Sequence, residues 1–131
     1  MKILKIEPGK SPVEMEIDGS LESMQSVVGG MIQAVFPFHE EVVLICNEEG
    51  KLTGLPYNRT LRREETNEIY DIICGTCFLC GAPAGCEHFT SLTPEQLQKY
   101  TAYYKQPELF MKIGNRLIVI KNEEDIYGYN L

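Results

Sequence analysis

The chain has 131 residues, with 12 Lys+Arg against 19 Asp+Glu and a formal net charge of -7. With 44% hydrophobic and 24% charged residues it has a globular composition, and it is long enough to bury a core without disulfides or metal. The acidic balance opposes direct nucleic-acid binding through a general positive field, so the expected partner is another protein.

Met1 to Pro8 does not read as a signal peptide, because Lys5, Glu7 and Pro8 interrupt a short apolar run. The longest uncharged stretch, Met24 to Phe38, is too short and polar to span a bilayer. Five cysteines are an odd number, which favours free thiols in a reducing compartment. The expectation is a cytoplasmic protein with no membrane segment, folded as a single domain over residues 1–131.

In chain order, Lys2 to Ile6 reads as a strand, and Glu7 to Pro12 as a turn. Val13, Met15 and Ile17 alternate with Glu14, Glu16 and Asp18, so a second strand has one apolar face and one acidic face. Ser20 is a helix cap, Leu21, Met24, Val27 and Val28 follow at helical spacing, and Gly29-Gly30 ends the helix. Met31 to Phe36 and Val42 to Cys46 read as strands, the second buried and central. Lys51 to Gly54 reads as a returning strand, Leu55 to Glu68 as a polar irregular loop, and Ile69 to Leu79 as one extended segment.

Thr93 followed by Pro94, Glu95 and Gln96 is a capping box with proline at the first helical position, and Leu92 and Leu97 fit a hydrophobic staple. Leu97, Tyr100 and Tyr104 line one face of that helix. A helical turn at Glu108 to Lys112 and a last strand at Leu117 to Ile120 complete the reading. Hairpin-length links favour an α+β fold, mainly antiparallel sheet with two principal helices. The expected core includes Met15, Ile17, Leu21, Met24, Val28, Val43, Ile45 and Leu97.

The order of several segments resembles a known family. These are Val28-Gly29-Gly30-Met31-Ile32, Asn47 to Leu52 with Gly54-Leu55-Pro56-Tyr57-Asn58-Arg59, the Gly75 segment, and Ser91-Leu92-Thr93. Together they resemble the domain-of-unknown-function 3846 family of small proteins from phages and conjugative elements of Gram-positive bacteria. The resemblance covers about residues 1–105 and leaves a C-terminal extension, about 106–131. It implies a mobile-element context and supplies no catalytic residue.

Two clusters carry candidate chemistry. Asn58, Arg59, Arg62 and Arg63 form a basic knot in the polar loop, suited to binding an oxyanion or an acidic partner loop. Cys77 and Cys80, with Cys86 and His88, form the alternative, a zinc-binding module. Strand alternation turns Cys77 and Cys80 apart, and Cys86-Glu87-His88 is short for a ligand pair, so core packing is the preferred reading. A thiol-dependent enzyme pairing a cysteine with His39 or His88 is a third option. No phosphate-loop or dinucleotide fingerprint is present, so no cofactor is expected. The resulting expectation is a non-enzymatic accessory or regulatory protein whose acidic strand face, Glu14, Glu16 and Asp18, serves a protein partner.

Overall fold

The computed structural model describes all residues, Met1–Leu131. The elements are β1 (Lys2–Ile6), β2 (Val13–Glu16), α1 (Leu21–Val28), β3 (Ile32–Val35), β4 (Val42–Asn47), β5 (Tyr57–Arg62) and β6 (Ile69–Cys74). They continue with β7 (Cys77–Gly81), α2 (Pro94–Tyr104), β8 (Leu109–Ile113), β9 (Arg116–Asn122) and β10 (Asp125–Asn130). The fold is α+β, with antiparallel sheets and two helices.

The main sheet has five strands in the order β2-β1-β7-β4-β3. Its interior strands are apolar on both faces, because each face carries its own helix. Ile3, Val43, Ile45, Phe78 and Cys80 pack against Met24 and Val28 of α1. Leu4, Ile6, Leu44, Cys77 and Leu79 face the other way, toward Leu97, Tyr100 and Tyr104 of α2.

Both helices start where their capping residues stand. The Ser20 hydroxyl accepts from Ser23 N, and Gly29 closes α1 at φ 77°, a left-handed conformation that favours glycine. At α2, Thr93 and Gln96 satisfy each other's backbone N–H groups, and Leu92 joins Leu97 in the core. Glu40 fastens α2 to the body by accepting from Tyr100 Oη (2.6 Å), Lys99 Nζ (3.0 Å) and Gln96 Nε2 (3.1 Å).

Several expectations are corrected. Ile69 to Leu79 is two strands in two sheets, broken at Gly75 (φ 87°), where a Cβ would meet Leu55 Cδ1 at 2.6 Å. β6 pairs with β5, so the polar segment read as a loop contains a strand. Lys51 to Gly54 forms turns, not a strand. The helical turn expected at Glu108 to Lys112 is β8, an edge strand of a three-stranded sheet in the order β10-β9-β8.

The inner face of that sheet buries Leu117 and Val119 against Ile72, beside Tyr57 and Phe110. Met15 (36% exposed) and Leu21 (55%) fall outside the core, because no element covers β2 or the outer side of α1. No helix is long and apolar enough to cross a membrane.

Candidate functional site

β5 lies between the main sheet and the C-terminal sheet, and its polar side chains are buried there. Asn58 (0% exposed), Arg59 (1%) and Arg62 (5%) were expected on an exposed loop, and that placement is corrected. A polar strand survives burial only if its groups find partners.

Asn58 Nδ2 donates to Ile6 O (2.9 Å) and Gly75 O (2.8 Å), which pins the break between β6 and β7 to β1. Arg59 Nη2 donates to Lys10 O (2.7 Å) and Tyr104 O (2.9 Å), while Nη1 reaches Asn58 Oδ1 (2.9 Å). Arg59 thereby satisfies an orphan carbonyl at the C-terminal end of α2, where a cation also suits the helix dipole. Burial lowers the Arg59 pKa, opposed by the charge of Glu108.

The other half of the strand holds a charged network. Thr60 donates its backbone N–H (3.1 Å) and hydroxyl (2.8 Å) to Glu108. Arg62 Nε donates to Thr60 Oγ1 (2.9 Å), and Nη1 donates to both carboxylate oxygens of Asp125 (2.8 and 3.1 Å). Arg59 Nε and Arg62 Nη2 have no hydrogen-bond partner. Arg62 Nη2 does lie 3.9 Å from Glu108 Oε1. The basic knot is therefore divided. Only Arg63 reaches the surface, where its guanidinium stacks 5.2 Å from the Tyr70 ring centroid.

The cysteine constellation is dispersed as well. Cys77 and Cys80 face opposite sides of the main sheet, while Cys86 and His88 sit in an exposed loop after β7. No three His, Cys, Asp or Glu side chains come together as a ligand set. Burial pushes the Cys46 thiol up to about 11 and Cys80 up to about 12, and raises Cys74 and Cys77. Such thiols stay protonated and make poor nucleophiles or ligands. His39, the other histidine, holds Glu65 Oε1 at 2.6 Å and contacts no thiol.

The acidic face is rearranged. Glu14 and Glu16 flank an open groove of ≈ 970 Å³ between β2 and α2, with Leu92, Leu97 and Ala102 along its floor. Lys2 and Lys105 stand on the same rim. Asp18 lies past the end of β2, beside Met15 and Ile17 in a separate depression, so the expected row of three carboxylates does not form.

β2 is also a sheet edge. Met1 and Ile17 exchange both backbone hydrogen bonds. Antiparallel alternation then aims the backbone groups of Ile17, Met15 and Val13 at β1 and those of Glu14 and Glu16 at solvent. The alternating apolar and acidic residues of β2 signalled a two-sided strand. That α2 would stand beside it, and that Lys105 would join its rim, depended on contacts remote in sequence.

A second groove, ≈ 580 Å³, lies at the junction of the β5–β6 hairpin with the C-terminus, where Lys51 and Asp71 form an ion pair. No curated protein and no solved structure matches this chain. One family model does, across residues 1–105, from β1 through α2 and including Asn58, Arg59, Arg62 and both rims of the larger groove. The chain thus belongs to the family described as domain of unknown function (DUF3846), with β8, β9 and β10 beyond the matched segment.

Proposed function

We propose that the protein is an accessory binding protein of a mobile genetic element, working in the cytoplasm through a protein partner and without catalysis. The mobile-element context rests on the family resemblance. The mode of binding rests on one observation, the unpaired edge of β2 beside the groove against α2.

An edge strand with free N–H and C=O groups is a template for an added strand. An extended segment of the partner pairs with Glu14 and Glu16 along their backbone and lowers alternate side chains onto Leu92, Leu97 and Ala102. The rim carries two carboxylates and two ammonium groups, so it selects a partner segment of mixed charge over a polyanion. Asn58 and Arg59 support this site from beneath by holding β1 and the end of α2, Arg62 ties β5 to Glu108 and Asp125, and Arg63 is free to meet a partner directly.

The test is a selection of binding peptides against the full chain, followed by binding to the Glu14→Pro variant. Proline removes one outward N–H, and edge strands tolerate it. Selected peptides should be extended and should lose affinity for Glu14→Pro, and duplex DNA should not compete. Peptides that bind Glu14→Pro unchanged, or a selection that returns none, would sink the proposal.

A further inference from the structure

Two uncompensated charges of opposite sign stand on the rim of the β2–α2 groove. Glu14 lines it from β2 and Lys105 from the end of α2. The Ser11 hydroxyl donates to Lys105 O at 2.8 Å, which ties that helix end to the segment leading into β2. Both side chains are exposed, and neither takes part in an ion pair within the chain. Glu14 has Leu4 directly opposite it on β1, so its own sheet offers it no counter-charge. Glu16 differs, with Lys2 directly opposite.

The edge imposes an alternation on whatever pairs with it. The backbone groups of Glu14 and Glu16 point outward, so an added antiparallel strand exchanges its hydrogen bonds with those two residues. Residues directly opposite share a face. The residue across from Glu14 therefore turns its side chain toward the α2 groove. Its two neighbours turn to the other side, where Val13 (52% exposed) and Met15 (36%) are bare. The added strand stands about 4.8 Å outside β2, so only a long side chain reaches the groove from it. An arginine or lysine combines an apolar stem for that reach with a cation for the Glu14 carboxylate. Two residues further along, the added strand passes Pro12 and arrives at the Lys105 end of the groove.

We infer that the segment docking on β2, under the edge-strand reading proposed above on which this rests, runs antiparallel to it and carries the order apolar, basic, apolar, acidic from its N-terminal side. The basic residue pairs with Glu14 and the acidic one with Lys105, while the two apolar residues cover Met15 and Val13. Reversal of the charges sets like against like at both contacts, so the rim fixes register and direction together. A second copy of β2 does not fit, because two such edges in antiparallel pairing oppose carboxylate to carboxylate.

Fluorescence polarisation with the full chain tests the order. One labelled peptide has eight residues, with valine, arginine, valine and aspartate between two pairs of threonines. The second has arginine and aspartate exchanged. The first should bind about tenfold more tightly, since the exchange replaces two attractions by two repulsions. Glu14→Lys with Lys105→Glu should reverse the preference, and either change alone should weaken the first peptide several-fold. Both side chains are exposed, so circular dichroism should be unchanged in each variant. On binding, the amides of Glu14 and Glu16 should gain protection from hydrogen exchange, while that of Met15, already bonded to β1, should not change.

Equal affinity for the two peptides, tighter binding of the exchanged one, or a preference that survives the double reversal would each overturn the inference. The edge-strand reading would still stand in those cases if Glu14→Pro weakens both peptides. Binding by neither peptide overturns the order as well, and the peptide selection above then decides the edge-strand reading separately. Binding that Glu14→Pro leaves unchanged would remove both.

Discussion

Replacing Arg59 by methionine separates a structural guanidinium from a ligand-binding one. The side chain is 1% exposed and donates to Lys10 O, Tyr104 O, Asn58 Oδ1 and, at 3.3 Å, Asn58 O. Methionine fills much of the volume but donates nothing, so three well-placed acceptors lose their donor. An unsatisfied buried acceptor costs about 1–3 kcal/mol. Lys10 is exposed and its bond to Arg59 only partly buried, so the low end of that range applies to its carbonyl. Removing a buried charge also relieves its desolvation. The expected net loss is about 2–4 kcal/mol. Urea unfolding should show it as a lower midpoint at constant slope. Amide exchange should loosen first at Lys105, whose N–H closes the last turn of α2 onto Ala102 O. A loss below about 0.5 kcal/mol, the range of ordinary surface substitutions, would refute the structural account and return Arg59 to a binding role.

Other outcomes follow from the same geometry. Leu97→Ala, in the core cluster beneath α2, should cost about 2–5 kcal/mol, whereas Leu21→Ala on the exposed side of α1 should stay within about 0.5 kcal/mol, both read by denaturant midpoint. His39 should titrate above 6.5 by nuclear magnetic resonance, because its hydrogen bond to Glu65, and then the charge of Glu64, favour the imidazolium. The contact is complete below 6.5 and lost as pH rises through the raised value, and Glu65→Gln should move the titration back down. A thiol reagent should modify Cys86 alone in the native protein and the other four cysteines only on unfolding.

Local signals were legible where a few neighbouring residues decide the structure. Ser20 and Thr93 cap helices through contacts three residues away, and Gly29 ends one through its own backbone angle. The central β4 was legible because a strand covered on both faces has no polar position. β5 was illegible for the opposite reason. Asn58, Arg59, Thr60 and Arg62 read as solvated, and their burial depends on carbonyls and carboxylates 17 to 63 residues away. β8 misled differently. Leu109-Phe110-Met111-Lys112-Ile113 lacks clean alternation because its outer face is apolar, so a period of two was hidden. The cysteine alternation was legible across Cys77 and Cys80, which lie on one strand, but Gly75 removes Cys74 to another sheet.

The boundary of the family match does not mark an energetic boundary in this chain. Arg62 lies within the matched segment, yet its carboxylate partners Glu108 and Asp125 both lie beyond it. A guanidinium 5% exposed needs those counter-charges, since removing one partner of a buried pair costs about 3–5 kcal/mol. Thr60 depends on the same Glu108, and Ile72 is covered by Leu117 and Val119. β5 and β6 are therefore stabilised from both sides, by the family body and by the extension. The extension in turn has its inner face consumed by this docking, while Leu109, Met111 and Ile113 of its outer face stay exposed. The same anchoring makes β8, β9 and β10 part of the folded body, although their residues lie beyond the family match.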